Sequence, residues 1–330
     1  MDIDKLKLTR EIKRSDVLLC AAHPPGTNQL FVGSSDAHVY AMDASAEKPE
    51  PVSLEGHSSY VTGLALTGTA LVSGSYDGKL VWWHAETHEQ LRSVDAHQRW
   101  IRGVAASPDG QRVVSVADDM ICRIWDAGSG KLQRELKGHE PVTPNHFPSM
   151  LYACAVSADS KLVATGDRVG HVVIWNIESG ESLATIEAPG FYTWDPRARI
   201  HSIGGIRSLA FSPDGRQLAI GGMGQVGNID HLGGKARVEI YDWQSGEQQH
   251  LFESDKFKGL VESLAWRRDG AWLLAAGGDN GGFLIFLDPQ SGKALREEKA
   301  PAHVHHVELD ENQAQIYAAA HGRVVLWQLS

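Results

Sequence analysis

The chain has 330 residues, 42% of them hydrophobic and 22% charged, which fits a globular protein and excludes a disordered one. Lys and Arg number 31 against 41 Asp and Glu, a net charge of −10, which argues against broad nucleic-acid binding and allows a basic protein partner. The three cysteines (Cys20, Cys122 and Cys154) cannot make a closed disulfide framework, and each sits in an apolar run, as a reduced, buried thiol would.

The N-terminus has no apolar stretch of signal-peptide length, and no run approaches the ~18 apolar residues of a membrane span. A cytoplasmic protein with no membrane partner is expected. Residues 5–12 alternate as a strand does. From Gly56 onward, short β-rich runs are separated by Asp-Gly, Pro-Asp-Gly and Ser-Gly turns, which are hairpin signals. The pattern is clearest in residues 56–83, where Gly56-His57 precedes an apolar strand and Ser73 and Asp77-Gly78 lead to Trp83. It returns with His97, Ser115, Asp119 and Trp125, and again with His139, Thr165 and Trp175. The position held by Trp83 can be followed through Met42, Trp125, Trp175, Tyr241, Leu287 and Trp327. Most of the gaps lie near the ~40–45 residues of a four-stranded blade. No long 3.6-residue period appears, so helices should be scarce.

These residues resemble the WD-repeat family, whose units are the blades of a β-propeller. The resemblance implies an all-β fold, a seven-bladed β-propeller forming one domain over residues 1–330. The last unit stops at Gln328-Leu329-Ser330 after its third strand, and residues 5–12 resemble the outer strand at 130–137. The N-terminal strand is therefore expected to close the last blade, which removes two exposed sheet edges. The resemblance also implies hydrogen-bonded sets of His57, Ser73, Asp77 and Trp83, and of His97, Ser115, Asp119 and Trp125. A third set keeps His139, Thr165 and Trp175, with Val169 where the Asp should stand. A His–Asp pair beside a Ser has the parts of a hydrolase triad. Its recurrence favours a structural role, because a catalytic site need occur only once. The near-regular Ser-Pro-Asp-Gly and Ser-Gly-Lys/Glu turns resemble those of bacterial WD-repeat proteins.

Few motifs carry chemistry. Residues 222–227 match G-x-G-x-x-G after a strand-like run, but the next residues are too short and glycine-rich for the helix a dinucleotide site needs. A hairpin loop with positive-φ glycines is the expected reading. His303, His305 and His306 form a close group, yet no local Cys pair or His-Glu-x-x-His supplies further ligands. No metal, cofactor or catalytic residue is assigned.

The informative feature is where the repeat breaks. Residues 140–149, 188–201 and 222–235 are insertions, placed by strand connectivity on one face of the propeller. Insertions in repeat arrays often build the binding face, and aromatic and Arg residues are the usual anchors. The candidates from the insertions are Phe147, Phe191, Tyr192, Trp194, Arg197 and His231. The resemblance adds residues near the start of each first strand or just before the turn Asp: Tyr60, Thr62, Tyr76, Trp100, Arg102, Asp118, Tyr152, Arg207, Glu262 and His305. The function expected is a protein-interaction scaffold that is not an enzyme and binds a protein or peptide through this face. The rival is an enzyme, or a small-ligand or metal-binding propeller, with its site over the central channel.

Overall fold

The computed structural model describes residues 2–198, 201–230 and 233–329. Among them the only helices are two short 3-10 turns, Ile3–Lys5 and Pro189–Phe191. The strands form antiparallel sheets: five of four strands, one of six, and the small pair Tyr192–Trp194 with Ser202–Gly204. The innermost strands Val61–Thr67, Ile101–Ala106, Leu151–Val156, Ile206–Phe211, Leu260–Trp266 and Val304–Leu309 touch in succession around a central channel. Lys7–Ala22 contacts both the first and the last of these and closes the ring. The architecture is an all-β propeller.

The expectation of seven separate blades is corrected to six blade-sized sheets. The strand Lys7–Ala22 runs 16 residues without a break. Its first half pairs with the C-terminal strand, Lys7 opposite Gln328 and Lys13 opposite Arg323. Its second half pairs with Gln29–Ser34, Leu18 opposite Ser34 and Ala22 opposite Phe31. The strands expected of the last unit and of the first are thereby merged into the one six-stranded sheet. The C-terminal strand Gln315–Gln328 is also long, and its first half pairs with Val304–Leu309.

Alternation along each strand builds the core between sheets, because successive side chains point to opposite faces. Trp82 and Trp83 show this directly. Trp83 packs with Cys20, Phe31 and Val61, toward the preceding sheet. Trp82 packs with Ile101, Val113 and Trp125 of the following sheet, and its Nε1 donates to the carbonyl of Ala127 at 2.9 Å. Between them, these adjacent residues tie three sheets together.

The Asp-Gly turns have a steric cause. Gly78 has φ +82°, and a Cβ there would collide with the carbonyl oxygen of His97. The Gly78 carbonyl accepts from the backbone N–H groups of Ala96 and His97, both at 2.9 Å, so the tight approach joins the turn to the next unit. The glycines of residues 222–227 are different. None has positive φ, and no helix follows in the described residues. Gly222 is needed for space: a Cβ would sit 2.7 Å from both the Gly205 carbonyl oxygen and the Phe191 ring.

All three cysteines are free. Cys20 and Cys122 are buried, and burial raises both thiol pKa values. Cys154 is only partly buried and lines the channel; its pKa is pushed up to about 12 by loss of solvent. No helix among the described residues is long and apolar enough to cross a membrane.

Candidate functional site

Three polar sets are built alike. His57 Nδ1 lies 3.0 Å from Asp77 Oδ2 and its Nε2 lies 2.8 Å from Ser73 Oγ, which also accepts from Trp83 Nε1 at 2.8 Å. His97 repeats this with Asp119 at 3.1 Å, Ser115 at 2.7 Å and the Trp125 Nε1–Ser115 bond at 2.9 Å. Burial disfavours ionised Asp119, but bonds from His97 and Arg123 outweigh it and bring its pKa to about 2. Burial likewise lowers the His97 pKa against the pull of Asp119. In each of these two sets both ring nitrogens of the histidine are engaged, one by the carboxylate and one by the hydroxyl.

The third set corrects the expectation at Val169. Asp167, two residues earlier, lies 3.1 Å from His139 Nδ1, and Thr165 and Trp175 complete the set at 2.8 and 2.9 Å. The carboxylate comes from the strand end instead of the turn. Asp167 Oδ1 also accepts from the backbone N–H groups of Val169 and His171, both at 3.0 Å, which holds that turn without an Asp inside it.

At the channel mouth, residues on or just before the inner strands form a stack with Tyr76, which lies in the turn after Ala70–Ser75. Tyr60 stacks on Tyr76 with ring centroids 5.6 Å apart, and Tyr76 stacks on Trp100 at 4.6 Å. Tyr60 and Trp100 are 48% and 51% exposed. Arg102 lies over Tyr76, Trp100 and Tyr152, donates to Tyr76 Oη at 2.6 Å, and pairs with Asp118 through two bonds of 2.8 Å. Arg207 also lies over Tyr152, 3.8 Å from the ring centroid, and has no ion-pair partner among the described residues. Across the mouth, His305 stacks on His303 at 4.3 Å, and Glu262 Oε1 is 3.8 Å from His303 Nε2. Burial, then the neighbouring His303 and His321, push the His305 pKa down to about 3. Arg102, Tyr152, Arg207, Glu262 and His305 line one cavity of about 440 Å³.

The insertions behave differently. Residues 141–149 close on themselves through Thr143 N–H to the Phe147 carbonyl, 2.7 Å, and Ser149 N–H to the Pro141 carbonyl, 2.9 Å. Phe147 meets Trp194 and His201, each with ring centroids 5.3 Å away, and Tyr192 Oη donates to Asn145 at 3.4 Å. The Val226 N–H donates to Thr193 Oγ1 at 3.1 Å. The insertion at 188–201 therefore touches both of the others. Much of their aromatic content is spent doing so: Phe147 stays at the surface, and Tyr192 and Trp194 are half-buried. Phe191 is corrected as a partner contact, because it is 1% exposed and packs with Ile206, Ile220 and Ala188 in the core. Arg197 is exposed. His231 lies outside the described residues.

Sequence reasoning missed Asp167 and the ring contacts of His201. Asp167 was hidden because its spacing from Thr165 differs from that of the other sets. His201 meets a ring more than 50 residues away, and no local pattern reports that contact.

Three segments, residues 49–84, 88–126 and 197–226, match the family described as WD domain, G-beta repeat. Nuclear distribution protein PAC1 of Arthroderma benhamiae is 30% identical over 220 residues, covering 59% of this chain and 45% of that protein. Apoptotic protease-activating factor 1 of Homo sapiens is 29% identical over 197 residues, covering 58% and 14%. Eukaryotic translation initiation factor 3 subunit I of Scheffersomyces stipitis is 27% identical over 230 residues, covering 69% and 59%. The chain spans less than two thirds of the length of each of these relatives. They are eukaryotic, and the likeness to bacterial WD-repeat proteins gains no support from them. The chain carries WD repeats in a β-propeller.

Proposed function

We propose that this propeller is a cytoplasmic protein-interaction scaffold, not an enzyme, and that its partner docks on the channel mouth at Tyr60, Tyr76, Trp100, Arg102, Tyr152 and Arg207. The observation that carries this reading is the exposed aromatic stack with arginines set into it. Large aromatics and arginines concentrate binding energy at interfaces, the aromatics by burying much area and the arginines by directed hydrogen bonds and stacking. Arg102 is held by Asp118, while Arg207 has no ion-pair partner among the described residues and can meet a carboxylate from a partner. The insertions, packed on one another, serve as a shaped wall beside this surface, with Phe147 and Arg197 at its rim. The rival catalytic reading loses ground because each described His–Asp–Ser/Thr set is closed by a Trp N–H and recurs from sheet to sheet. One relative is named as a subunit of an initiation factor, which supports a role within an assembly.

The test is affinity capture from the native host with wild type, with Tyr60→Ala/Trp100→Ala, and with Leu91→Ala/Leu132→Ala. Leu91 and Leu132 are exposed apolar residues on outer strands and serve as controls. Partners kept by the control and lost by the first variant support the proposal. Identical partner sets for all three contradict it.

A further inference from the structure

We propose that Glu262, His303 and His305 form a binding site for a divalent transition-metal ion of the zinc type. One carboxylate oxygen and two imidazole nitrogens lie within 4.8 Å of one another. Glu262 lies within the inner strand Leu260–Trp266, His305 within the adjacent inner strand Val304–Leu309, and His303 immediately before the latter. Ligands placed on or beside neighbouring strands are held more precisely than ligands on loops. The third donor comes from a different sheet, about 40 residues away in sequence, so a search for local ligand spacing misses it.

The contrast with the other histidines gives the second argument. His57, His97 and His139 each have both ring nitrogens bonded. The Nε2 atoms of His303 and His305 are buried with no hydrogen-bond partner among the described residues, and the contact of His303 with Glu262 at 3.8 Å is too long for one. Buried polar atoms ordinarily find partners, and two orphaned imidazole nitrogens beside one carboxylate are a donor set lacking an acceptor of lone pairs. Imidazole with carboxylate suits zinc and its first-row neighbours, whereas magnesium and calcium prefer oxygen alone. Zinc bonds of about 2.0–2.1 Å require the three donors to draw together from their present separation. Three protein ligands leave a fourth tetrahedral position for water or for a side chain of a bound partner.

Tag-free protein titrated with zinc chloride should bind one equivalent, and cobalt(II) should give the visible absorption of a tetrahedral site. Glu262→Gln and His305→Gln should each weaken both ions by at least about tenfold, and His303→Gln/His305→Gln should abolish the cobalt spectrum. Zinc should raise the melting temperature of wild type and not that of the double variant. Should the double variant fail to fold, Glu262→Gln and His305→Gln decide the matter alone. No stoichiometric binding by wild type, or affinity and spectrum unchanged in the single variants, overturns the site. Either result leaves the partner-capture experiment unaffected, because Tyr60 and Trp100 are not ligands.

Discussion

Two groups of histidines lie on inner strands or in the connections that lead into them, and they behave in opposite ways. His57, His97 and His139 are clamped between a carboxylate and a hydroxyl that also accepts from a tryptophan. They lock a turn to its own sheet, and nothing of their chemistry is left over. His303 and His305, on the sheet that joins the two ends of the chain, stack on each other and keep unbonded nitrogens. The residue type is the same. What separates structure from spare chemistry is whether the neighbouring strands supply partners.

The largest effect should come from the junction that makes the last sheet. Deleting residues 1–12 removes the strand residues paired with Val324–Gln328 and removes Leu6, which is buried with Trp327 and Leu329. A bare edge and an opened core follow. Calorimetry should show the melting temperature falling by at least about 10 °C, or the protein aggregating. A melting temperature within a degree or two of the full chain breaks the account of closure.

The next effect sharpens the clamped sets. Asp167→Ala should destabilise by ~1–3 kcal/mol in chemical denaturation because it leaves His139 Nδ1 unpartnered. Val169→Ala should stay within about 0.5 kcal/mol. Equal costs at the two positions would return the structural role to the turn residue.

A smaller effect is pH-dependent. His97 has a folded pKa below its ordinary value, so its neutral form favours folding. That contribution is complete above about pH 6.5 and is lost as pH falls below it, by at most about 1.4 kcal/mol per pH unit. Asp119, with its pKa at about 2, adds stability that is present above about pH 4 and lost as pH falls toward 2. Stability measured from pH 7.5 to 5 should fall in wild type and fall less in His97→Gln. Parallel profiles would show that His97 is not a source of the slope. A small effect on stability is also expected at Trp100. With half its surface in water, Trp100→Ala should cost no more than about 1 kcal/mol, the worth of its stacking on Tyr76.

Much of this was legible in the residues. The repeated turns and the spacing of Trp83 and Trp125 gave the propeller, and residues 5–12 were marked as the closing strand by their likeness to 130–137. Two of the polar sets were named completely. The unbroken course of Lys7–Ala22 was not legible, because nothing in Arg14-Ser15-Asp16 marks a chain that passes straight from one unit into the next. Asp167 escaped because a carboxylate two residues from its expected place can reach the same imidazole by a different backbone path. Phe191 is read as a surface aromatic because it lies in the insertion at 188–201, yet the 3-10 turn directs it into the core. The approach of Glu262 to His303 depends on how neighbouring sheets lie around the channel, which only the closed ring determines.

The central claim is that a partner docks on the aromatic mouth of the channel. A photo-crosslinking amino acid placed at Trp100 and, separately, at Val52 tests it most directly, because both positions are about half exposed and Val52 lies on an outer strand. In the native host, discrete crosslinked adducts should form from position 100 and be absent from position 52. Adducts of equal pattern from both positions, or from position 52 alone, would contradict the account.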